Sequence, residues 1–381
     1  RTRLGIAVER VYPLAPLTLP QKGESVAWEN DRVPHALQLF AARARAARPD
    51  FVLDAGNVEV VADICRRLDG LPLAIELAAA YVGALSVDEL RDRLDASMLS
   101  TLAASGPDRP ERHRTMRAAI AWSYNLLSPR EQRFLTCCSS FAGGFTLGAA
   151  EALWDTCGDP QMSALDGLTA LVDRSLLRPM GRDSGETRYL MLETIRGYAR
   201  ERLDASGDRE AVHRQHAAWA LALAETAQQE LYGPDQAAWA GRLAAEQDNL
   251  RVALTWAIAN DPVLAVRLAS ALWFFWYAEG ELVEGRRWLE RALAAGSAVP
   301  PTIQALAINN LGNLVYEMGD LPRAQELYEE SLALRTQLGD RCGMADSLNN
   351  LGMLATARGD LATGRERLKA CIALRMDMGQ P

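Results

Sequence analysis

Lysine, histidine and cysteine are where nucleotide, acid–base and metal chemistry would show in this chain of 381 residues. A P-loop needs a lysine followed by serine or threonine, because the ammonium reaches the phosphates and the hydroxyl holds Mg²⁺. There are two lysines; Lys22 precedes Gly23 and Lys369 precedes Ala370. These residues therefore contain no Walker A loop. H-E-x-x-H, C-x-x-C and G-x-S-x-G are absent as well. His213 and His216 are three apart and share a helix face, but without a third ligand they read as surface residues before they read as a metal site. Phe51-Val52-Leu53-Asp54 imitates a Walker B strand; with no P-loop ahead of it, Asp54 or Asn57 reads instead as a helix start. Six cysteines in a chain of this size do not make a disulfide framework. As a self-contained enzyme the sequence offers almost nothing.

The bulk properties narrow the class. A composition of 49% hydrophobic and 24% charged residues is an ordinary globular profile, and the length suggests two to four domains. A net charge of −8 argues against chain-wide nucleic-acid binding and leaves a local basic patch open. Leu268–Ala278 is too short to span a bilayer, and Glu76 interrupts Leu71–Leu85. No signal segment opens the chain. The expectation is a cytoplasmic protein with no membrane partner. The near-exclusive use of arginine over lysine reads as codon bias.

Helices dominate the elements that must position any site. After the proline-rich start with Pro13, Pro16 and Pro20, helices are expected over Pro34–Ala46, Asn57–Leu68, Pro72 to about Val82, and Ser86–Leu94. Gly70 is a natural residue to follow a helix, Pro72 suits a first turn, and Ser86 with Glu89 forms a capping box. Ala103–Glu111 reads as a linker. Helices follow over Arg114–Leu127, from Ser128 to about Cys138, after Thr146, over Met162–Arg174 and over Glu193–Leu203. Phe141–Phe145 reads as a turn. Ser175–Met180 and Thr187–Met191 are strand candidates around the polar turn 181–186. Helices with a two-stranded wing are the pattern of a winged helix.

From about Arg209 the chain reads as helix pairs with an internal repeat. Asn309-Asn310-Leu311-Gly312 recurs as Asn349-Asn350-Leu351-Gly352, and Gly319-Asp320 as Gly359-Asp360, both forty residues apart. Gly280-Glu281 is a looser copy. Counted from the turn glycine, small residues recur at plus five (Gly285, Ala324, Gly364) and large ones at plus nine (Leu289, Tyr328, Leu368). Small residues let antiparallel helices approach closely, and the large residue fills the gap. This pattern closely resembles tetratricopeptide repeats. Trp273–Tyr277 reads as core between helices or as a ligand surface. Asn310 and Asn350, at equivalent repeat positions, are candidate partner-binding residues, or they bond neighbouring repeats.

The segment Cys65 to Ala78, containing Gly70-Leu71-Pro72-Leu73-Ala74, resembles the GLPLA segment of the signal-transduction ATPases with numerous domains, the STAND class that includes the NB-ARC switches and many bacterial transcriptional regulators. Arg114–Leu127, Phe134–Phe145 and Tyr189–Arg196 look like the winged-helix part of the bacterial group. The resemblance covers about residues 1–205 in order. In isolation, the pentapeptide is also explained as a helix stop, a turn and a proline start.

The resemblance implies a mainly α chain: a four-helix ARC-type bundle, a winged helix with a small β-wing, and a TPR-like α-solenoid. Residues 1–24 would be a remnant of the nucleotide-binding core and its connector, 25–104 the bundle, 105–112 a linker and 113–204 the winged helix. Residues 205–300 would be degenerate hairpins and 301–381 two repeats. It implies that Leu71 and Pro72 offer an apolar platform to an adenine ring and that Arg1 senses a terminal phosphate, a task suited to the guanidinium fork. Met191-Leu192-Glu193 resembles the family's Met-His-Asp motif with leucine in the histidine position. Glu193 would keep the acidic role, or simply favour a helix N-terminus. The implied cofactor is ADP or ATP with Mg²⁺ in the parent protein, with none held tightly by this part alone. The implied partners are an upstream P-loop domain of the same protein, a protein or small-molecule signal at the repeats, and a second copy on opening. Met162–Arg174, with Asp166 and Asp173 against Arg174, is poorly suited to a DNA groove; DNA contact is expected only through an output domain elsewhere. The readings that remain are a regulatory part of a nucleotide switch, a TPR-type scaffold with a vestigial nucleotide site, and a direct winged-helix DNA binder.

Overall fold

A computed structural model describes residues 16–20, 33–92, 94, 116–181, 186–295 and 299–379. Arg1, most of the proline-rich start and the 103–111 linker lie outside them. The chain divides into two compact units. The first comprises residues 1–140 and 144–209, and the second Phe141–Gly143 with Glu210–Pro381.

The first unit begins with a helical bundle: α1 (His35–Ala47), α2 (Val58–Arg67), α3 (Pro72–Ala80) and α4 over 87–92. Leu37, Phe40, Ile64, Leu68, Ile75 and Leu90 are fully buried and form its core. The apolar stripe on α2 and the almost wholly apolar α3 are why these helices face inward. The Ser86–Glu89 box forms as expected, the Glu89 N–H donating to Ser86 Oγ at 3.2 Å. Phe51–Asp54 is not a strand; the Asp54 carboxylate accepts from the N–H groups of Gly56 and Asn57 ahead of α2.

The winged helix follows in the same unit: α5 (Met116–Asn125), α6 (Pro129–Cys138), β1 (Phe145–Thr146), α7 (Leu147–Cys157), α8 (Ala164–Asp173), β2 (Arg178–Met180), β3 (Arg188–Leu190) and α9 (Glu193–Ser206). Ser128 opens α6 with a full capping box, and Thr146 caps α7 through the Ala149 N–H. Phe134 packs edge-on against Trp154, with ring centroids 5.0 Å apart. The wing is larger than the sequence suggests. Phe145, expected in a turn, pairs with Tyr189, so the antiparallel sheet has three strands in the order β1-β3-β2. Two residues are too few for an alternating pattern, and burial of Phe145 drives the pairing. The helix expected over Met162–Arg174 is shorter, because Ser163 forms a capping box with Asp166 and fixes its start.

The second unit is all helix among its described residues: α10 (Arg209–Glu230), α11 (Gln236–Ala245), α12 (Gln247–Asn260), α13 (Pro262–Ala278), α14 (Leu282–Ala294), α15 (Pro301–Glu317), α16 (Leu321–Leu338), α17 (Arg341–Ala357) and α18 (Leu361–Asp377). Aspartates 320, 340 and 360 each cap the following helix through a side-chain bond to a backbone N–H. The small-residue positions work as the repeat implies. A Cβ on Gly312 would stand 2.6 Å from the Tyr328 ring, and one on Gly352 would stand 2.7 Å from Leu368. His216, expected at the surface, is buried against Phe141 and Trp219. No trio of histidine, cysteine or acidic side chains suited to a metal occurs among the described residues. No helix there is long and apolar enough to cross a membrane.

Candidate functional site

The GLPLA turn is built by two consecutive left-handed residues, Asp69 (φ 54°) and Gly70 (φ 64°). Asp tolerates this region better than most side chains, and glycine enters it freely. The connector runs directly over the turn: the Leu17 N–H donates to the Gly70 carbonyl at 3.0 Å. A Cβ on Gly70 would lie 2.6 Å from the Leu17 carbonyl oxygen. Glycine is therefore required twice, by conformation and by space. Leu71 then caps α3 in extended conformation, and Pro72 takes its first position. Pro72 is exposed and Leu71 half-buried, so the pyrrolidine ring stands on the surface of the bundle.

Asp69 reaches from this turn to the winged helix. Its carboxylate accepts the Glu193 N–H at 2.8 Å, at the first residue of α9. The orphan N–H groups and dipole of a helix start favour an anion. The amides of Glu193 and Thr194 both favour the charged carboxylate, yet burial outweighs them and pushes the Asp69 pKa up to about 6. The Glu193 side chain turns to its own helix and pairs with Arg196 at 2.8 Å. Sequence reasoning did not single out Asp69 as a functional residue. Its partner lies 124 positions away, and no local pattern reports such a contact.

In the second unit, Asn310 is buried and donates to the Ser270 carbonyl at 3.2 Å, a bond between neighbouring helices. Asn350 is half-buried; its amide donates to Asn309 at 3.3 Å and to Asn313 at 3.0 Å. The aromatic stretch divides by helix face. Phe275 and Trp276 are core, whereas Trp273 is half-buried and Tyr277 exposed. Trp273, Tyr277 and Asn350 line one cavity of about 230 Å³.

Comparison with known proteins agrees with these modules. Residues 127–204 match the winged helix-turn-helix domain model, and residues 303–377 match a tetratricopeptide repeat model. A protein of Mycobacterium tuberculosis strain H37Rv named "Putative HTH-type transcriptional regulator" is 36% identical over 323 residues, 82% of this chain and 36% of that protein. Its counterpart in Mycobacterium bovis has the same identity and coverage. An uncharacterized protein of Mycobacterium tuberculosis strain H37Rv is 38% identical over 218 residues, 56% of this chain and 51% of that protein. The chain thus spans about a third to a half of the length of these relatives. A solved STAND protein of Pyrococcus horikoshii with a tetratricopeptide repeat sensor aligns over 90% of this chain and 60% of its own, with 13% identity and a TM-score of 0.24. The chain carries a helical bundle with the Gly70–Ala74 turn, a winged helix and tetratricopeptide repeats, in that order.

Proposed function

We propose that the chain is the regulatory part of an ADP- or ATP-dependent switch that controls transcription, with the bundle as nucleotide lid, the winged helix as hinge and the repeats as signal arm. The observation that carries the reading is the GLPLA turn. It presents an exposed Pro72 while its neighbour Asp69 holds the start of α9 in the winged helix. A base resting on Pro72 would therefore bear on a turn already tied to the hinge. A ligand shifts such an equilibrium only by its differential affinity for the two arrangements.

The described residues suit the base better than the phosphates. An exposed pyrrolidine beside a half-buried leucine is an apolar platform. At α9 the position of the family's phosphate-contacting histidine is Leu192, and the helix start is filled by the Asp69 carboxylate. A phosphate there would meet a like charge. In this reading a P-loop domain outside this chain supplies the phosphate cradle, and Glu193, whose carboxylate serves Arg196, makes no phosphate contact. The similarity to mycobacterial proteins named as transcriptional regulators supports the regulatory part of the reading.

Titration of the protein that joins this chain to its P-loop domain with fluorescent ADP tests the switch. Saturable binding that changes the hydrogen exchange of α3 and α9 supports it. Absence of nucleotide binding would leave the repeat scaffold as the better account. Direct DNA reading by the winged helix is disfavoured by α8, whose exposed residues include Leu165, Asp166 and Thr169 and no base.

A further inference from the structure

The cavity of the repeat arm has an unusual lining. Trp273 and Tyr277 come from α13, Tyr316 and Glu317 from α15, and Tyr328 from α16. Tyr277 and Tyr316 occupy the same place in successive units, each giving its carbonyl to the N–H of the turn glycine, Gly280 or Gly319. The repeat therefore places a tyrosine at the same position in successive units, and both line the cavity. Glu317 is the only charged residue in the lining. It makes no ion pair or side-chain hydrogen bond among the described residues, although most other acidic side chains of this unit have one. Burial, with Tyr316 and Glu317 close by, holds the Tyr328 hydroxyl protonated well above the usual phenol range.

The hydrogen bonds of the lining point the same way. Tyr328 donates its proton to Asn313 at 3.0 Å. Both amide hydrogens of Asn350 are committed to Asn309 and Asn313. On Tyr328, Asn350 and Glu317 what remains is acceptor, namely the Tyr328 oxygen, the Asn350 carbonyl and the Glu317 carboxylate, beside the amide N–H groups of Asn313 and the polar hydrogens of the aromatic side chains. A site offering aromatic faces, acceptors and one uncompensated carboxylate is attractive to a cation and repels an anion. At about 230 Å³ the space suits a small head group and falls below the usual range for larger ligands.

We propose that this cavity binds an organic ammonium group, with Trp273, Tyr277 and Tyr316 supplying ring faces and Glu317 the counter-charge. The group would be either a free small cation or the ammonium of a lysine side chain on a partner; the chemistry is shared. The inference deepens the reading of the repeats as a signal arm and rests on that part of it only.

Calorimetric titration of the full chain with choline, and separately with Nα-acetyl-trimethyllysine amide, tests the proposal. The control is 3,3-dimethyl-1-butanol, the neutral isostere of choline. One-to-one binding of either cation is expected, at least about tenfold tighter than the alcohol, since cation–π contacts contribute about 0.5–2 kcal/mol each. Choline binding identifies a free small cation as sufficient; binding of the lysine derivative alone identifies a side chain of a partner. Glu317→Gln, at an exposed position, should weaken binding about five- to tenfold and steepen no salt dependence. Tyr316→Leu should weaken it independently. Equal affinity for the alcohol and choline, or no heat from either cation to about 10 mM, would overturn the proposal. Cation binding without any effect on nucleotide affinity in the larger protein would leave the cavity assignment standing and remove the cavity as the signal input of the switch.

Discussion

The Asp69 carboxylate accepts the backbone N–H of Glu193 at 2.8 Å, which fastens the turn before α3 to the start of α9. The bond joins the turn that carries Pro72, the proposed base platform, to the helix that closes the winged helix. Its energetics depend on pH, because burial lifts the Asp69 pKa from 3.8 to about 6. Folding then binds a proton more tightly than the unfolded chain does. The stabilisation from this group is complete below about pH 4 and declines as pH rises through about 6.

Asp69→Asn should flatten that decline. In urea unfolding of the chain at pH 4.5 and pH 7.5, the variant is expected to lose less stability across the interval than the wild type, by on the order of 2 kcal/mol. Identical slopes in the two proteins would show that the carboxyl is not buried as described.

The close helix contacts of the repeats yield a second expectation. Gly312 lies under Tyr328, where a Cβ would approach the ring to 2.6 Å. Alanine gains about 1 kcal/mol of helix propensity, but overpacking costs about 1–3 kcal/mol. Gly312→Ala should therefore lower the melting temperature. Gly241→Ala, in α11 with open space around it, should leave it unchanged or raise it. Calorimetric scans of both variants decide the matter; a stabilised Gly312→Ala contradicts the packing.

Thiol labelling reads burial directly. Burial pushes the Cys65 and Cys137 thiols up to about 12 and raises the Cys138 thiol well above its ordinary value, so little thiolate forms at neutral pH. Cys342 is exposed. Iodoacetamide followed by mass spectrometry should modify Cys342 first, and Cys65, Cys137 and Cys138 only on unfolding. Early modification of Cys138 would contradict the core of the winged helix.

Arg174 is the one base at the end of α8, and its guanidinium is held by Glu131 at 2.7 Å. Arg174→Gln should thus leave any affinity of the chain for duplex DNA, and its salt dependence, unchanged in fluorescence anisotropy. A loss of affinity with a shallower salt slope would mean that α8 meets phosphates after all.

Local signals make most helices legible in the sequence alone. Ser128, Thr146 and Ser86 each announce a helix start by a short-range side-chain bond, and the forty-residue recurrence of the Asn-Asn-Leu-Gly segment announces the repeats. What stayed hidden was set by distance. Phe145 joins the wing because Tyr189 is there to pair with it, and two residues carry no periodicity of their own. His216 reads as polar in sequence, yet it sits between aromatic rings. Of the cavity, Trp273, Tyr277 and Asn350 stood out, because an aromatic run and a repeated asparagine are visible. Tyr316 and Glu317 did not, since only the stacking of α13, α15 and α17 brings them together.

The central claim is that Pro72 serves as the platform for a nucleotide base. The direct measurement is the affinity of fluorescent ADP for the full-length protein, with and without Pro72→Ala. Alanine also starts helices well, so α3 should persist, as circular dichroism can verify. The account predicts about tenfold weaker binding by the variant, the loss of roughly 1.4 kcal/mol of apolar contact. Unchanged affinity in a folded variant would contradict it.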